Sequence, residues 1–88
     1  MYNVLICDDE RDIVSALKIY MESEGHHALC AYSGKEALEL LEREEVHLVL
    51  LDIMMPEMDG IETLSRIRRF GYSPVRPFSH WGRTVLQL

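Results

Sequence analysis

The sequence is poor in the features that would send a chain into a membrane, out of the cell or onto nucleic acid. No apolar run approaches the roughly 20 residues that a bilayer span requires, and no basic stretch precedes a signal-type apolar segment at the N-terminus. A cytoplasmic chain without membrane contact is expected. Bases are outnumbered, nine against fifteen acids for a net charge of −6, which opposes direct binding to nucleic acid because that rewards a basic face. Cysteine is limited to Cys7 and Cys30, both in strand candidates and not a close ligand pair, so buried free thiols are expected. The four histidines, His26, His27, His47 and His80, lack zinc spacing. Turn and strand-start positions account for His26 and His27 without a phosphohistidine role. Lysine does not recur after Lys35.

What is present is a soluble globular composition, 48% hydrophobic and 27% charged, in 88 residues, enough for one small domain. Its most informative stretch runs from His47 to Gly60. Val46 and Leu48 to Leu51 show no polar alternation, as in a strand of a parallel sheet covered on both faces, and the run stops at Asp52. The carboxyl end of such a strand is where open α/β sheets bind ligands. A lone aspartate there reads more simply as a helix cap or a solvated acid. But Val4-Leu5-Ile6-Cys7 is also continuously apolar and also ends in acid, Asp8-Asp9-Glu10. If the two strands are parallel neighbours, Asp8, Asp9 and Asp52 converge on one sheet edge. Crowded carboxylates repel, and a hard divalent cation offsets that repulsion. Mg²⁺, which binds through one or two carboxylates plus phosphate oxygens, fits best, so the inferred chemistry is phosphoryl transfer. Glu10 and Glu57 border the same pocket as a solvated rim. Met54, Met55 and Met58 are expected to give a turn its apolar contacts, not to form a soft-metal site.

Taken in order, the chain alternates strand and helix. Residues 11–24 carry Ile13, Ala16, Leu17, Tyr20, Met21 and Glu24 at helical spacing, and Gly25 ends the segment. A weaker strand follows at about 27–32. Ser33 and Glu36 form a capping box ahead of a helix over about 34–44 that buries Ala37, Leu38 and Leu41. Asp59 and Glu62 repeat that logic ahead of a third helix, 60 to about 69, with Ile61, Leu64 and Ile67 inward. Arg66, Arg68 and Arg69 suit the C-terminal end of its dipole and are expected to be solvated, not a nucleic-acid patch. This βαβαβα pattern predicts an α/β fold with parallel strands, right-handed crossovers and helices on both faces.

Asp8-Asp9 after an apolar strand, together with Leu51-Asp52-Ile53-Met54-Met55-Pro56-Glu57-Met58-Asp59-Gly60, resembles the receiver domain of bacterial two-component response regulators. The resemblance covers residues 1 to about 70. It implies a flavodoxin-like, CheY-like sheet of order 2-1-3-4-5, incomplete here: three βα units and a divergent tail. It implies that Asp52 is the phosphoacceptor, that Asp9 binds Mg²⁺ directly, that Asp8 helps to hold the ion, and that Met54 contributes its backbone carbonyl. Met55-Pro56 and Asp59-Gly60 would shape the loop. The implied role is a signalling module, not an enzyme, taking a phosphoryl group from a sensor histidine kinase, in a parent protein that carries a DNA-binding output domain.

The pattern changes near Phe70. Receivers continue with a fourth strand ending in a hydroxyl residue and a fifth ending in lysine, whereas residues 71–83 here hold two prolines, two glycines and no clean strand. Pro74-Val75 resembles the start of the fourth strand only. The lysine is missing, and Ser79 or Thr84 would have to supply the hydroxyl. Residues 1–70 are therefore expected to form a truncated receiver, and 71–88 an atypical tail. Without further strands the third, 47–51, would expose an apolar edge that invites pairing with another chain. A twofold homodimer is expected, its tails, with residues 84–88 as the candidate strand, or its third-strand edges covering one another. Two alternatives stand beside the signalling module. One is a non-signalling receiver fragment that oligomerises through that edge. The other is a Mg²⁺-dependent phosphohydrolase, disfavoured because Asp52-Ile53-Met54 has no second acid two residues on.

Overall fold

The computed structural model describes residues 1–55, 60–75 and 82–88. Three continuously apolar segments form the parallel centre of a sheet: β1 (Asn3–Cys7), β2 (His27–Ala31) and β3 (Leu48–Asp52). β1 lies between the other two, Val4 opposite Ala28 on one side and Leu48 on the other. Cys7 is level with Leu51. Asp8 and Asp52 therefore leave the sheet at the same height, as the sequence predicts.

The helix α1 (Arg11–Ser23) covers one face of the sheet, where Val14 is buried with Val4 and Ile6, and Leu17 and Met21 pack alongside. The inward stripe is 14, 17, 21, rotated from the expected one. Ala16 and Glu24 are exposed and Tyr20 is 59% exposed, because the sheet meets only a narrow strip of the helix, and these side chains fall outside it. At its end, the Gly25 N–H donates to the Glu22 carbonyl and the His26 N–H to the Met21 carbonyl, with Gly25 at φ +86°. This is the paired closure that needs a left-handed residue, and glycine adopts it without strain.

On the opposite face lie α2 (Gly34–Arg43) and α3 (Gly60–Arg69), which bury Ala37, Leu41, Leu64 and Ile67 against Leu5, Val49 and Leu51. Leu38 is partly buried against the same cluster. The Glu36 N–H donates to Ser33 Oγ at 3.2 Å, and Glu36 Oε1 accepts from the Tyr32 N–H at 3.1 Å, one residue earlier than an ideal capping box. In α3 the expected Ile61 is 56% exposed, and Thr63 is buried in its stead. Asp59, the expected cap, lies outside the described residues. Gly60 cannot be larger, because a Cβ there would collide with the Ile53 backbone. Arg66, Arg68 and Arg69 are exposed, and Arg66 pairs with Glu62 one turn back at 3.0 Å.

The tail corrects the sequence reading. β4 (Ser73–Pro74) and β5 (Arg83–Gln87) belong to the same sheet, whose order is β2-β1-β3-β5-β4 rather than 2-1-3-4-5. β5 pairs antiparallel with β3 and with β4, so β4 runs parallel to β3 one strand's width away, and β5 returns through the gap. Chain length dictates the direction. Eight residues, 75–82, separate the two strands, too few for the dozen or more that a parallel crossover takes. Thr84 and Leu86 are buried with Leu51 and Val49, whereas Val85 and Gln87 are exposed on the α1 side, the alternation of a half-covered antiparallel strand. The edge of β3 is thus covered by the chain's own tail. That edge is therefore no reason to expect a homodimer, and residues 83–87 pair with β3 of their own chain.

Leu86 is fully buried, so Leu86→Ala is expected to cost about 2–5 kcal/mol, whereas Val85→Ala should stay within about 1 kcal/mol. Urea unfolding followed by circular dichroism checks this; equal effects would mean that β5 is not docked on β3.

Candidate functional site

The carboxyl edge of β1 and β3 gathers the acids that the sequence singles out. One carboxylate oxygen from each of Asp8, Asp9 and Asp52 lies within 4.8 Å of the others. Asp8 and Asp52 are buried, and Asp9 is exposed at the rim. Each buried acid is held by local backbone. Asp8 Oδ1 accepts from the Glu10 N–H at 3.0 Å, and Asp52 Oδ1 accepts from the Met54 N–H at 2.9 Å. The Met54 side chain is 75% exposed, so what Met54 offers the site comes from its backbone. Burial raises the Asp52 pKa above the ordinary aspartate value; the Met54 N–H opposes this, and the charge of Asp8 adds to it.

The sequence reading missed Arg83. It stands opposite Asp52 in the β3–β5 register, and its Nε and an Nη nitrogen donate to Asp8 Oδ2 at 2.9 and 2.8 Å. The Ile53 N–H donates to the Gly82 carbonyl at 2.7 Å and pins the start of β5 to this place. The available signal was the alternation of residues 83–87, but nothing local to Arg83 names its partner 75 residues away. Thr84 is level with Leu51 and shares its face of the sheet, not that of Asp52. Its hydroxyl is buried without a hydrogen-bond partner among the described residues. Glu57 and Ser79 lie outside the described residues.

Two further features complete the surroundings. A cavity of about 320 Å³ runs beside the acids, walled by Ile6, Leu17, Leu50 and Val85 as well as Asp8, Asp52 and Arg83. Cys7, beneath the acids, is buried with its thiol against the Ser33 carbonyl and the Met55 sulfur. Burial, then the charges of Asp8 and Asp52, push its pKa up to about 12. Cys7 and Cys30 are both free, as expected. Among the described residues no helix is long and apolar enough to cross a membrane.

Residues 4–81 match the family model described as the response regulator receiver domain. The chain belongs to that family. The receiver's sequence is 41% identical over 75 residues to the transcriptional regulatory protein CpxR of Escherichia coli K12, covering 85% of this chain and 32% of CpxR. The chain thus spans about a third of the length of the curated relatives that it matches. Among solved structures, the N-terminal domain of a response regulator receiver protein from Methanoculleus marisnigri is 46% identical with a TM-score of 0.75, over 77% of this chain and 55% of that one. The response regulator TrrA of Thermotoga maritima, solved with Mg²⁺ and BeF, is 38% identical with a TM-score of 0.74, over 78% of this chain and 60% of that one. TrrA has also been solved with the histidine kinase ThkA, and there the TM-score is 0.73 at the same identity and coverage. The fold is CheY-like, a mixed sheet with a parallel centre, flanked by helices.

The donor set fits a hard divalent cation, since all three clustered ligands are carboxylate oxygens and two of them are buried. In the metal-free protein, Asp52→Asn is expected to raise the melting temperature at neutral pH. Because the folded-state pKa of Asp52 is raised, its protonation favours the fold; that contribution is complete below the ordinary aspartate pKa and lost as pH rises through the raised value. The advantage of Asn should therefore shrink on acidification, and melting curves across pH check it. A thiol reagent applied to the folded chain is expected to reach the half-buried Cys30 and to spare Cys7 until denaturant is added.

Proposed function

We propose that this chain is the phosphoryl-accepting module of a two-component pathway, with Asp52 as acceptor. The observation that carries this reading is the convergence of Asp8, Asp9 and Asp52 at the carboxyl edge of neighbouring parallel strands. Asp52 is the acid that follows β3 directly, and the Met54 N–H fixes the rotation of its carboxylate. One carboxylate oxygen forms a bond to phosphorus as the bond from phosphorus to the donor atom breaks, giving an acyl phosphate. Asp9, exposed at the rim, and Asp8 beneath it would hold Mg²⁺ together with Asp52 and the Met54 carbonyl. When bound, Mg²⁺ supplies charge neutralisation for the phosphoryl oxygens.

A sensor histidine kinase is the proposed donor, supported by the complex of ThkA with the similar TrrA. A cytoplasmic place and a signalling rather than enzymatic role follow from the same reading. Membership beside CpxR supports transcription control as the output, through a separate domain. A second reading, a receiver that keeps its pocket without signalling, is favoured by Arg83, which already supplies Asp8 with a cation from the chain itself.

Intact-mass spectrometry after incubation with acetyl phosphate and Mg²⁺ separates the two. A single phosphate adduct in the wild type that disappears in Asp52→Asn is the expected outcome. A folded wild-type chain that takes up no phosphate would favour the second reading.

A further inference from the structure

We propose that Arg83 is an intramolecular competitor for the divalent cation: its guanidinium and the metal are mutually exclusive at Asp8. This rests on the reading of the acidic cluster as a metal site given above. A carboxylate has two oxygens with about two lone-pair sites each. At Asp8, Oδ1 accepts the Glu10 N–H, and Oδ2 accepts two donors from Arg83. Both lone-pair sites of Oδ2 are thus filled. Oδ1 keeps one site, but a metal ion on either oxygen would lie within a few ångströms of the guanidinium, and two cations so placed repel strongly.

The arrangement is built by the tail. Arg83 is the first residue of β5, opposite Asp52, with Gly82 bonded to Ile53 on one side and buried Thr84 and Leu86 on the other. The Arg83 side chain is one-third exposed, so it has a route out toward solvent while β5 stays docked. Metal loading therefore releases Arg83 from Asp8. The freed cation remains beside Asp52, and a guanidinium matches the oxygens of a phosphoryl group.

The test uses Mg²⁺ alone and the full chain. In proton–nitrogen NMR of arginine side chains, the Arg83 Nε–H of the wild type is expected at a shifted, solvent-protected position without metal. At saturating Mg²⁺ it should move to the position of an exposed arginine. By calorimetry, Arg83→Met is expected to bind Mg²⁺ at least about tenfold more tightly, the loss of a charge-assisted bond. Arg83→Lys should also bind more tightly than wild type: it keeps the charge but loses the two-pronged grip, which separates competition from background repulsion. Mg²⁺ binding that leaves the Arg83 signal in place, with both variants within about twofold of wild type, would overturn this inference and leave the metal site standing. Failure of wild type and both variants to bind Mg²⁺ would overturn the inference and the metal reading together. Binding by the variants but not by wild type would be the strongest form of the competition.

Discussion

Two acids enter the interior at one level because the strands that carry them are parallel neighbours in register, Cys7 beside Leu51. Water solvates neither Asp8 nor Asp52 well, and the charge of Asp8 adds to the cost of charging Asp52. The surroundings of this edge answer that repulsion. Backbone N–H groups of Glu10 and Met54 face the two carboxylates, the thiol of Cys7 stays neutral beneath them, and a guanidinium closes on Asp8. The same charge concentration that is unfavourable for an isolated fold makes the edge receptive to a divalent cation and to a group that carries phosphate.

The second constraint is the edge of β3. Its backbone groups and the apolar side chains of Val49 and Leu51 need cover, and a short return strand provides it at low chain cost. β5 satisfies the ladder of β3 in the antiparallel sense and drops Thr84 and Leu86 onto the same core as α2 and α3. Covering the edge and neutralising the pocket are thus one event, since the residue that opens this strand is Arg83. In receivers of the pattern that the sequence resembles, those tasks fall to a parallel strand and a lysine. Here an antiparallel strand and an arginine stand in the corresponding region, with the cation directed at Asp8.

The local signals in the sequence carried most of the first 70 residues. Continuous apolar runs located β1 and β3, Gly25 closed α1, and Ser33 with Glu36 opened α2, because each depends on groups a few residues apart. Helix faces were less legible. Val14 lies inward where Tyr20 was expected, and Thr63 where Ile61 was, since the width of the contact belongs to the sheet and not to the helix.

Sequence alone determined the acids, their attachment to strand ends and the kinship with receivers: strand periodicity and a carboxylate's place after it are properties of a short segment. Only the tertiary structure decided what meets those acids. The order β2-β1-β3-β5-β4, the self-covered edge and the ion pair between residues 8 and 83 arise from pairing over long separations. Such pairing is selected by which edge is left uncovered after the rest of the chain has packed, and no neighbouring residue encodes that.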